Sequence, residues 1–287
     1  MVIVKVMGGL GNQMFQYALA RKLQMLGKRV KLDISYYQDI PDGDTLRTKW
    51  LSEFGHSFEE ILAPSKWSLD AWIAKIEGEK YIWTESNYNY DSSIYNVKRG
   101  YLIGYWQTEK YFDDIAPVIR QDFKLDVNKL NICEEKIYQK LKETKNAISL
   151  HIRRGDYLEP ANFDYFGNVC TGLYYKRAIQ YIRDRVENCK FFIFTDAPED
   201  ILINNNADYN YQIISNGKYN ERFEMFLMSE CKHHIIANSS FSWWGAWLDS
   251  RQDKIVVAPE QWTNKGDRQD IFCNDWIRIS GNDKMTL

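Results

Sequence analysis

Apolar residues along this chain follow two spacings, and segments of the two kinds alternate. Short apolar runs such as "VIVKVM", "AISLHI" and "KFFIFT" are typical of buried strands. Between such runs, apolar residues recur every third or fourth position, as Phe15, Leu19 and Leu23 do. This spacing predicts a helix over 12–26, with Gly27 as its stop. Strands that alternate with helices predict parallel sheets covered by helices on both faces.

The same pattern divides the chain into two β/α halves. The first half starts with a β-α-β unit, and the stretch 36–100 that follows has no regular period. In the more regular second half, Thr171 and Asn220 are predicted to cap helices through their side-chain oxygens. The helix after Thr171 has one apolar face: Tyr174, Ala178, Ile182 and Val186. We expect an N-terminal domain over 1–143 and a C-terminal domain over 144–287.

Composition and charge limit the classes of function. The chain has 287 residues, of which 45% are hydrophobic, enough for a sizeable core. A net charge of -2 argues against a nucleic-acid partner, because binding to a phosphate backbone needs a basic surface. No apolar run approaches the roughly 18 residues of a membrane span. The 5 cysteines show no C-x-x-C spacing, which favours a reducing compartment, and we expect a cytoplasmic protein.

A first motif, "GGLGNQMFQYALA" (8–20), follows the first predicted strand and opens the first predicted helix. A glycine-rich turn there suits a phosphate, and Asp33 at the end of the next strand resembles the acidic residue of a dinucleotide-binding fingerprint. Met14 stands where the third small residue of that fingerprint belongs, which argues against a nicotinamide enzyme. The plain alternative is a tight turn with Asn12 as the helix cap, and it leaves Gln13 unexplained.

A second motif, "HIRRGDY" (151–157), begins at the carboxyl end of a predicted strand, where parallel sheets bind ligands. Adjacent Arg153 and Arg154 repel each other unless an anion or a carboxylate lies between them. Guanidinium groups match phosphate oxygens two at a time, so the pair predicts a diphosphate site. The alternative is a solvated ion pair with Asp156 on a surface turn. The strand-end position and the neighbouring His151 favour the diphosphate.

A third motif, "NSSFSWWGAWL" (238–248), follows a predicted strand and enters a helix. Hydroxyls of Ser239, Ser240 and Ser242, with the free amides of a helix N-terminus, are predicted to form a second anion cradle. Simple capping by serine is the alternative. The tryptophans of this motif are expected in the core: Trp243, Trp244 and Trp247.

Together and in this order, the three motifs resemble those of the bacterial α-1,2-fucosyltransferases of glycosyltransferase family 11. They extend from residue 8 to residue 248. The resemblance implies a GT-B-like α/β fold, in which two Rossmann-like β/α domains face a central cleft. It also implies GDP-L-fucose as donor, a β-galactoside-terminated oligosaccharide or glycolipid as acceptor, inversion at the anomeric carbon, and no required metal. A place in O-antigen or capsule biosynthesis follows from the same resemblance.

The resemblance also implies roles for individual residues. It places Arg153 or Arg154 on the β-phosphate of the donor and His151 near the guanosine. Asp196, in "FTDAPED", matches an aspartate that contacts guanine, and Glu224 stands where an aspartate for the ribose or guanine is usual. Further donor contacts are implied for the third motif: Asn238, Ser239, Ser240, Phe241 and Ser242. The cleft and acceptor side is implied for part of the first motif: Gly11, Asn12 and Gln13, with Asn12 close to the reacting sugar.

For the reaction we expect a single displacement. The galactose 2-hydroxyl attacks C1 of fucose while GDP leaves, and Arg153 and Arg154 stabilise the charge that develops on the diphosphate. Asp156 is the candidate base, although arginines beside a carboxylate lower its pKa, and orienting those arginines is its alternative role. Asn12 is an alternative group for positioning the acceptor. The Asp-Gly-Asp tripeptide at 42–44 indicates a turn rather than a metal site.

Two other functions stay open from the sequence. One is a nucleotide-sugar transferase with a different donor or acceptor, such as a protein hydroxyl. The other is a non-catalytic glycan-binding relative, which the intact Arg153, Arg154 and Asp156 argue against. Peripheral contact with the inner face of the membrane is open as well, and acceptor contacts are expected in 36–100.

Overall fold

A computed structural model of the chain describes residues 1–38, 48–62, 78, 81–198 and 209–282. Residue contacts divide the chain into two compact units, Met1–Lys124 (the first unit) and Leu125–Leu287 (the second unit). Each unit is built on its own parallel sheet. The predicted class of two Rossmann-like β/α domains is thereby confirmed, whereas a cleft between them stays a prediction.

The first unit holds a 5-stranded sheet. Its described strands are β1 (Val2–Lys5), β2 (Val30–Asp33), β3 (Glu59–Ile61), β4 (Ile82–Thr84) and β5 (Gly100–Ile103). Its described α-helices are α1 (Leu10–Met25) and α2 (Ala116–Asp122). The strand order is β3-β2-β1-β5-β4, and each neighbouring pair is parallel. The apolar run of β1 is central in this sheet, which explains why it is continuous rather than alternating.

The second unit holds a 6-stranded sheet. Its described strands are β6 (Ala147–Ile152), β7 (Lys190–Thr195), β8 (Tyr211–Ile213), β9 (His233–Ile235), β10 (Val256–Pro259) and β11 (Ile277–Ile279). Its described α-helices are α3 (Ile132–Glu143), α4 (Pro160–Phe166), α5 (Gly172–Arg183), α6 (Glu221–Glu230) and α7 (Ser240–Leu248). The strand order is β11-β10-β9-β6-β7-β8. None of the helices that the structure describes has the length and apolar character needed to cross a membrane.

Helix α5 packs on the second sheet through the face that the sequence predicts. Tyr174 and Ile182 are fully buried in the core that β6 and β7 share with this helix. Thr171 caps α5 by accepting a hydrogen bond of 3.3 Å from the Tyr174 N–H. Asn220 caps α6 by accepting one of 2.9 Å from the Phe223 N–H. Both predicted caps and the predicted core face are confirmed.

Helix α3 belongs to the second unit, which differs from the predicted domain boundary. Its Ile137 and Leu141 are buried in one cluster with Phe192 and Phe194 of β7. The observed division therefore lies between Lys124 and Leu125, whereas the predicted one lies between 143 and 144. The spacing of apolar residues identifies a helix but does not show which sheet covers its apolar face.

The register between β6 and β7 determines which residues meet at the carboxyl edge of the second sheet. Ile152 of β6 pairs with Thr195 of β7. The next residues along these strands, Arg153 and Asp196, therefore lie side by side at the edge where parallel sheets bind ligands.

Candidate functional site

Asp196 contacts both arginines of the second motif, Arg153 at its side chain and Arg154 at its backbone. Its Oδ2 lies 3.1 Å from a guanidinium nitrogen of Arg153, and its Oδ1 accepts a hydrogen bond of 2.9 Å from the backbone N–H of Arg154. The Arg153 guanidinium also lies 5.3 Å from the ring centroid of Tyr157. Asp196 thus holds the Arg153 guanidinium and the Arg154 backbone, while the Arg154 side chain is exposed. An ion pair with Asp156 stays an alternative prediction, because that side chain lies outside the described residues. The guanine contact implied for Asp196 stays a prediction.

Gly155 makes this close approach possible. A Cβ atom at this position would lie 2.3 Å from Oδ2 of Asp196, far inside contact distance. Gly155 also begins the 3-10 turn Gly155–Leu158, whose backbone carries Asp156. The side chain of Asp156 lies outside the described residues, so its roles as base and as orienting group stay predictions. Sequence reasoning missed Gly155. The signal that could have found it is a glycine in the loop that carries candidate site residues, because glycine lets the backbone approach another group closely.

His151, the last residue but one of β6, is a buried, uncharged ring. Burial, together with the charge of Arg153, lowers the pKa of this imidazole to about 3. Its Nδ1 atom is buried and has no hydrogen-bond partner among the described residues. Its ring centroid lies 5.6 Å from that of Phe241 in the third motif. An orphaned buried nitrogen costs about 1–3 kcal/mol, which a hydrogen bond to a ligand would recover.

The third motif opens α7 without the serine cap that was the simpler interpretation. Ser239 is the cap residue, and its side chain makes no capping hydrogen bond. Ser242 is fully buried, and its hydroxyl donates to the carbonyls of Ala237 and Ser239, 3.3 and 3.2 Å away. Because this hydroxyl already donates inside the protein, it is not available to donate to a pyrophosphate as predicted. The remaining candidate groups of the anion site are the hydroxyls of Ser239 and Ser240 and the amides at the start of the helix. The tryptophans of the motif are buried as predicted: Trp243, Trp244 and Trp247.

Asn238 joins the second and third motifs through internal hydrogen bonds. Its Nδ2 donates to the carbonyls of Phe166 and Trp262 at 3.2 and 3.1 Å. Its Oδ1 accepts from the Cys170 thiol at 3.5 Å, and its backbone carbonyl accepts from the Tyr157 hydroxyl at 3.0 Å. Both amide hydrogens are used inside the protein, so the structure favours a role in holding the loop over the donor contact implied by the resemblance.

Glu224 is connected to the end of β7 through Ser215. The Ser215 hydroxyl donates to Oε2 of Glu224 at 2.6 Å and accepts from the Thr195 N–H at 3.0 Å. Burial, with the nearby charge of Glu221, raises the pKa of Glu224 to about 7, against the opposite effect of the Ser215 hydrogen bond. Sequence reasoning missed Ser215, and its place just after β8, at the carboxyl edge of the sheet, is the signal that could have found it.

Glu224→Gln is expected to stabilise the protein at pH 8 and to have little effect at pH 5. Because the pKa is raised in the folded state, the contribution of this carboxyl to stability is full below 4.5 and is lost as pH rises through about 7. Glutamine keeps an acceptor for Ser215 and does not ionise. Since solvent reduces the full linkage value at a partly exposed site, we expect a gain of about 1–2 kcal/mol at pH 8.

Urea denaturation at the two pH values measures this difference. Glu187→Gln is the matched control, because it removes the same charge from an exposed position of the second unit. A stability difference between the Glu224→Gln variant and wild type that does not grow with pH would contradict the assignment.

In the first unit, α1 begins earlier than its apolar period indicates. Gly9 occupies the capping position, and the helix starts at Leu10. The backbone N–H groups of Asn12 and Gln13 donate to the Gly9 carbonyl at 3.0 and 3.1 Å. The capping role considered for Asn12 is therefore wrong, because extended Gly9 already opens the helix. Gly11 is buried within the first turn.

Gln13 is fully buried, and its amide is completely used inside the first unit. Its Nε2 donates to the carbonyls of Gly8 and Thr48 at 3.1 and 2.8 Å. Its Oε1 accepts from the N–H groups of Trp50 and Leu51 at 2.9 and 3.2 Å. A glutamine amide has two donor hydrogens and two acceptor lone pairs. Gln13 thus ties a distant segment to the glycine turn, and contact with an acceptor sugar would require one of these bonds to break.

The dinucleotide interpretation of the first motif finds no support at Asp33. This residue is fully buried at the end of β2. Its Oδ1 accepts from the Ser35 N–H at 2.8 Å, and its Oδ2 accepts from the Tyr101 hydroxyl. Because both oxygens of this buried carboxylate accept hydrogen bonds inside the protein, Asp33 is not available to bind a ribose. Met14, in place of the third small residue of the fingerprint, also argues against a dinucleotide site.

A Ser–His–Asp chain lies inside the second sheet. Ser149 Oγ lies 2.8 Å from Nδ1 of His234, whose Nε2 lies 3.0 Å from Oδ2 of Asp249. Burial acts to raise the pKa of Asp249, but hydrogen bonds from His234 and Arg251 lower it to about 2. All three side chains are buried, so no substrate reaches the serine and the chain is not a nucleophilic site. His234 therefore has a structural role.

Metal ligands do not gather in the described part of the chain. No group of three or more His, Cys, Asp or Glu residues comes together there in a way that suits a metal ion. The Asp-Gly-Asp tripeptide at 42–44 lies outside the described residues. Metal independence stays a prediction.

Several known proteins are similar to this chain. The O-antigen biosynthesis glycosyltransferase WbnK of Escherichia coli is 33% identical, over 95% of this chain and 98% of that protein. An α-1,2-colitosyltransferase of Escherichia coli is 32% identical, over 97% of this chain and 98% of that protein. A galactoside α-(1,2)-fucosyltransferase 1 of Rattus norvegicus is 24% identical, over 88% of this chain and 64% of that protein.

Solved structures with distant similarity include two transferases. Fucosyltransferase NodZ from Bradyrhizobium aligns with a TM-score of 0.46 at 15% identity, covering 85% of this chain and 91% of that one. ADP-heptose lipopolysaccharide heptosyltransferase II of E. coli aligns with a TM-score of 0.45 at 13% identity, covering 97% of this chain and 90% of that one.

One family model spans almost the whole chain. The model described as glycosyl transferase family 11 matches residues 1–280, which include all three motifs and parts of both units. The long match to WbnK, 33% identical, agrees with it. The chain therefore belongs to glycosyl transferase family 11 and is a glycosyltransferase.

Proposed function

We propose that this glycosyltransferase moves L-fucose from GDP-L-fucose to the 2-hydroxyl of a terminal β-galactoside. The observation that carries the proposal is the arginine pair at the carboxyl edge of the second sheet, organised by Asp196 through contacts of 3.1 and 2.9 Å. Guanidinium groups of adjacent residues suit a nucleoside diphosphate. The names of two relatives, an α-1,2-colitosyltransferase and a galactoside α-(1,2)-fucosyltransferase, support the 2-linkage.

In this proposal the diphosphate lies against the arginine pair and the start of α7. The Ser239 side chain does not cap that helix, and the amides of an uncapped helix N-terminus favour an anion. The orphaned Nδ1 of His151, at the end of β6, then accepts or donates a hydrogen bond to the nucleoside. Ser239 and Ser240 add hydroxyl donors at the same end of α7.

The proposed reaction is a single displacement with inversion. The galactose 2-hydroxyl oxygen attacks C1 of fucose as the bond from C1 to the β-phosphate oxygen breaks, and the bonding electrons leave with GDP. The hydroxyl proton passes to a carboxylate, for which Asp156 is the proposed base. Arg153 and Arg154 stabilise the charge of the departing diphosphate, the task that a divalent cation performs in metal-dependent transferases.

A second donor is favoured by one observation, the 32% identity to an α-1,2-colitosyltransferase. Colitose is L-fucose without its 3-hydroxyl, so the same diphosphate contacts would serve both sugars. The two donors differ only in the presence of that hydroxyl.

Incubation with GDP-L-fucose or GDP-colitose and a panel of β-galactosides, with and without a chelator, tests the proposal. We expect a 2-linked α-fucosyl product whose linkage is assigned by NMR, at a rate that the chelator does not change. A higher kcat/KM with GDP-colitose would replace the donor, and a rate that falls with chelator would overturn metal independence. Absence of GDP release with every pair would overturn the proposed donors and acceptors and favour a nucleotide-sugar transferase with a different donor or acceptor.

A further inference from the structure

The Asn12 side chain lies directly against the glycine turn of the first motif. Gly8 adopts a φ of 80°, and a Cβ atom there would lie 2.6 Å from Nδ2 of Asn12. Only glycine therefore leaves room for the Asn12 amide in this position. Asn12 is partly exposed, and its Oδ1 accepts a hydrogen bond of 2.7 Å from Nε2 of Gln107.

Gln107 follows a residue whose backbone is strained. Trp106 has a φ of 55°, in the left-handed region that costs a bulky residue about 1–3 kcal/mol. It is buried, and its indole N–H has no hydrogen-bond partner among the described residues. The strain is held in place by the Glu85 carboxylate, which accepts from the N–H groups of Tyr105 and Trp106 at 2.8 and 3.2 Å.

A second buried glutamine of α1 anchors the same segment. Gln16 Nε2 donates to the carbonyl of Gly104 at 3.0 Å, and its Oε1 accepts from the Met7 N–H at 2.9 Å. Gln16 thereby links the residues just after β1 to the residue just after β5. Glu85 and Gln16 together leave little freedom to the backbone that presents Gln107.

We infer that Gln107 is a positioning residue that sets the orientation of the Asn12 amide. Because Gln107 donates to Oδ1, the remaining polar group of Asn12 is the Nδ2 donor. That group lies against the Gly8 turn and makes no hydrogen bond to the described residues. It is therefore the donor that Asn12 offers to a neutral oxygen, a hydroxyl or ring oxygen of a sugar substrate. This inference rests on the proposed function. The strain at Trp106 is then the energetic cost of holding Gln107 in place.

Gln107→Glu tests the inference, because it keeps the shape of the side chain and replaces the donor by an oxygen. The Asn12 amide then turns its Nδ2 to the carboxylate introduced at position 107 and presents Oδ1 to the sugar. We expect kcat for fucosyl transfer to fall at least tenfold, with KM for GDP-L-fucose changed less than threefold. In an Asn12→Ala background the same substitution should have almost no further effect on kcat. Gln121→Glu, the same change at an exposed position of α2, is the control.

The outcomes separate this inference from the function on which it rests. A wild-type enzyme that transfers no sugar would overturn the proposed function and this inference with it. An active wild type with an equally active Gln107→Glu variant would overturn the inference alone. Equal losses of kcat in the wild-type and Asn12→Ala backgrounds would also overturn it, since they indicate a general structural role for Gln107.

Discussion

Arg154→Lys is expected to lower kcat about a hundredfold without unfolding the protein. Lysine keeps the charge but loses the planar two-point contact with phosphate oxygens, where charge grows in the transition state. Arg154 is exposed, and Asp196 binds its backbone N–H at 2.9 Å, so the loop keeps this hydrogen bond in the variant. Steady-state transfer from GDP-L-fucose to a β-galactoside measures the effect.

Two further lysine variants complete this comparison. Arg153→Lys alters a guanidinium that also contacts Asp196 at 3.1 Å, so we expect a rise in KM for the donor in addition to a fall in kcat. Arg183→Lys, in the last turn of α5, makes the same change at an exposed position and should keep wild-type turnover. Turnover close to wild type in both motif variants would exclude the arginines as the diphosphate clamp.

Gly155→Ala is expected to lower activity by about a hundredfold, a loss typical of displacing a catalytic group by an ångström. The added Cβ would lie 2.3 Å from Oδ2 of Asp196, so the carboxylate has to move. That movement breaks the contacts that organise Arg153 and Arg154. Because the displaced atoms end a side chain rather than belong to backbone, we expect stability to fall by only about 1–2 kcal/mol.

The control for this substitution lies in the same unit. Gly172→Ala adds a Cβ at the first position of α5, where it would contact no other part of the protein within 4 Å beyond the adjacent residues and the helix backbone, and should leave activity unchanged. If Gly155→Ala acts through the carboxylate, adding Asp196→Ala to it should cost little more activity. Full activity of the Gly155→Ala variant would show that the loop functions without the observed contact.

The confirmed predictions concern features that depend on nearby residues. Three- and four-residue spacing placed Tyr174 and Ile182 on the buried face of α5, and side-chain oxygens before apolar segments identified Thr171 and Asn220 as caps. Such features are set by helix geometry and by the unpaired amides of a first turn. The three motifs also identified the family before any fold was known, because each is a contiguous run of residues.

The errors concern local hydrogen bonds that the residue types alone leave open, and the omission concerns groups that meet only after the chain has folded. Asn12 is not a cap, since backbone conformation at Gly9 starts the helix first. The Ser242 hydroxyl looked available but is directed back to its own turn. The sequence does not explain Gln13, because the residues with which its side chain forms hydrogen bonds lie far along the chain, at Thr48, Trp50 and Leu51.

Sequence patterns alone establish the class of fold, the strands and helices around the three motifs, and the residues in which the chemistry is expected. They do not predict β3 and β4, which lie in the stretch without a regular period, and they do not show which carboxylate meets the arginines, why position 155 is a glycine, or which amide orients Asn12. The physical reason is that these contacts depend on strand register. The pairing of Ile152 with Thr195 brings Asp196 to Arg153, and the adjacency of β1 and β5 underlies the hydrogen bond between Asn12 and Gln107.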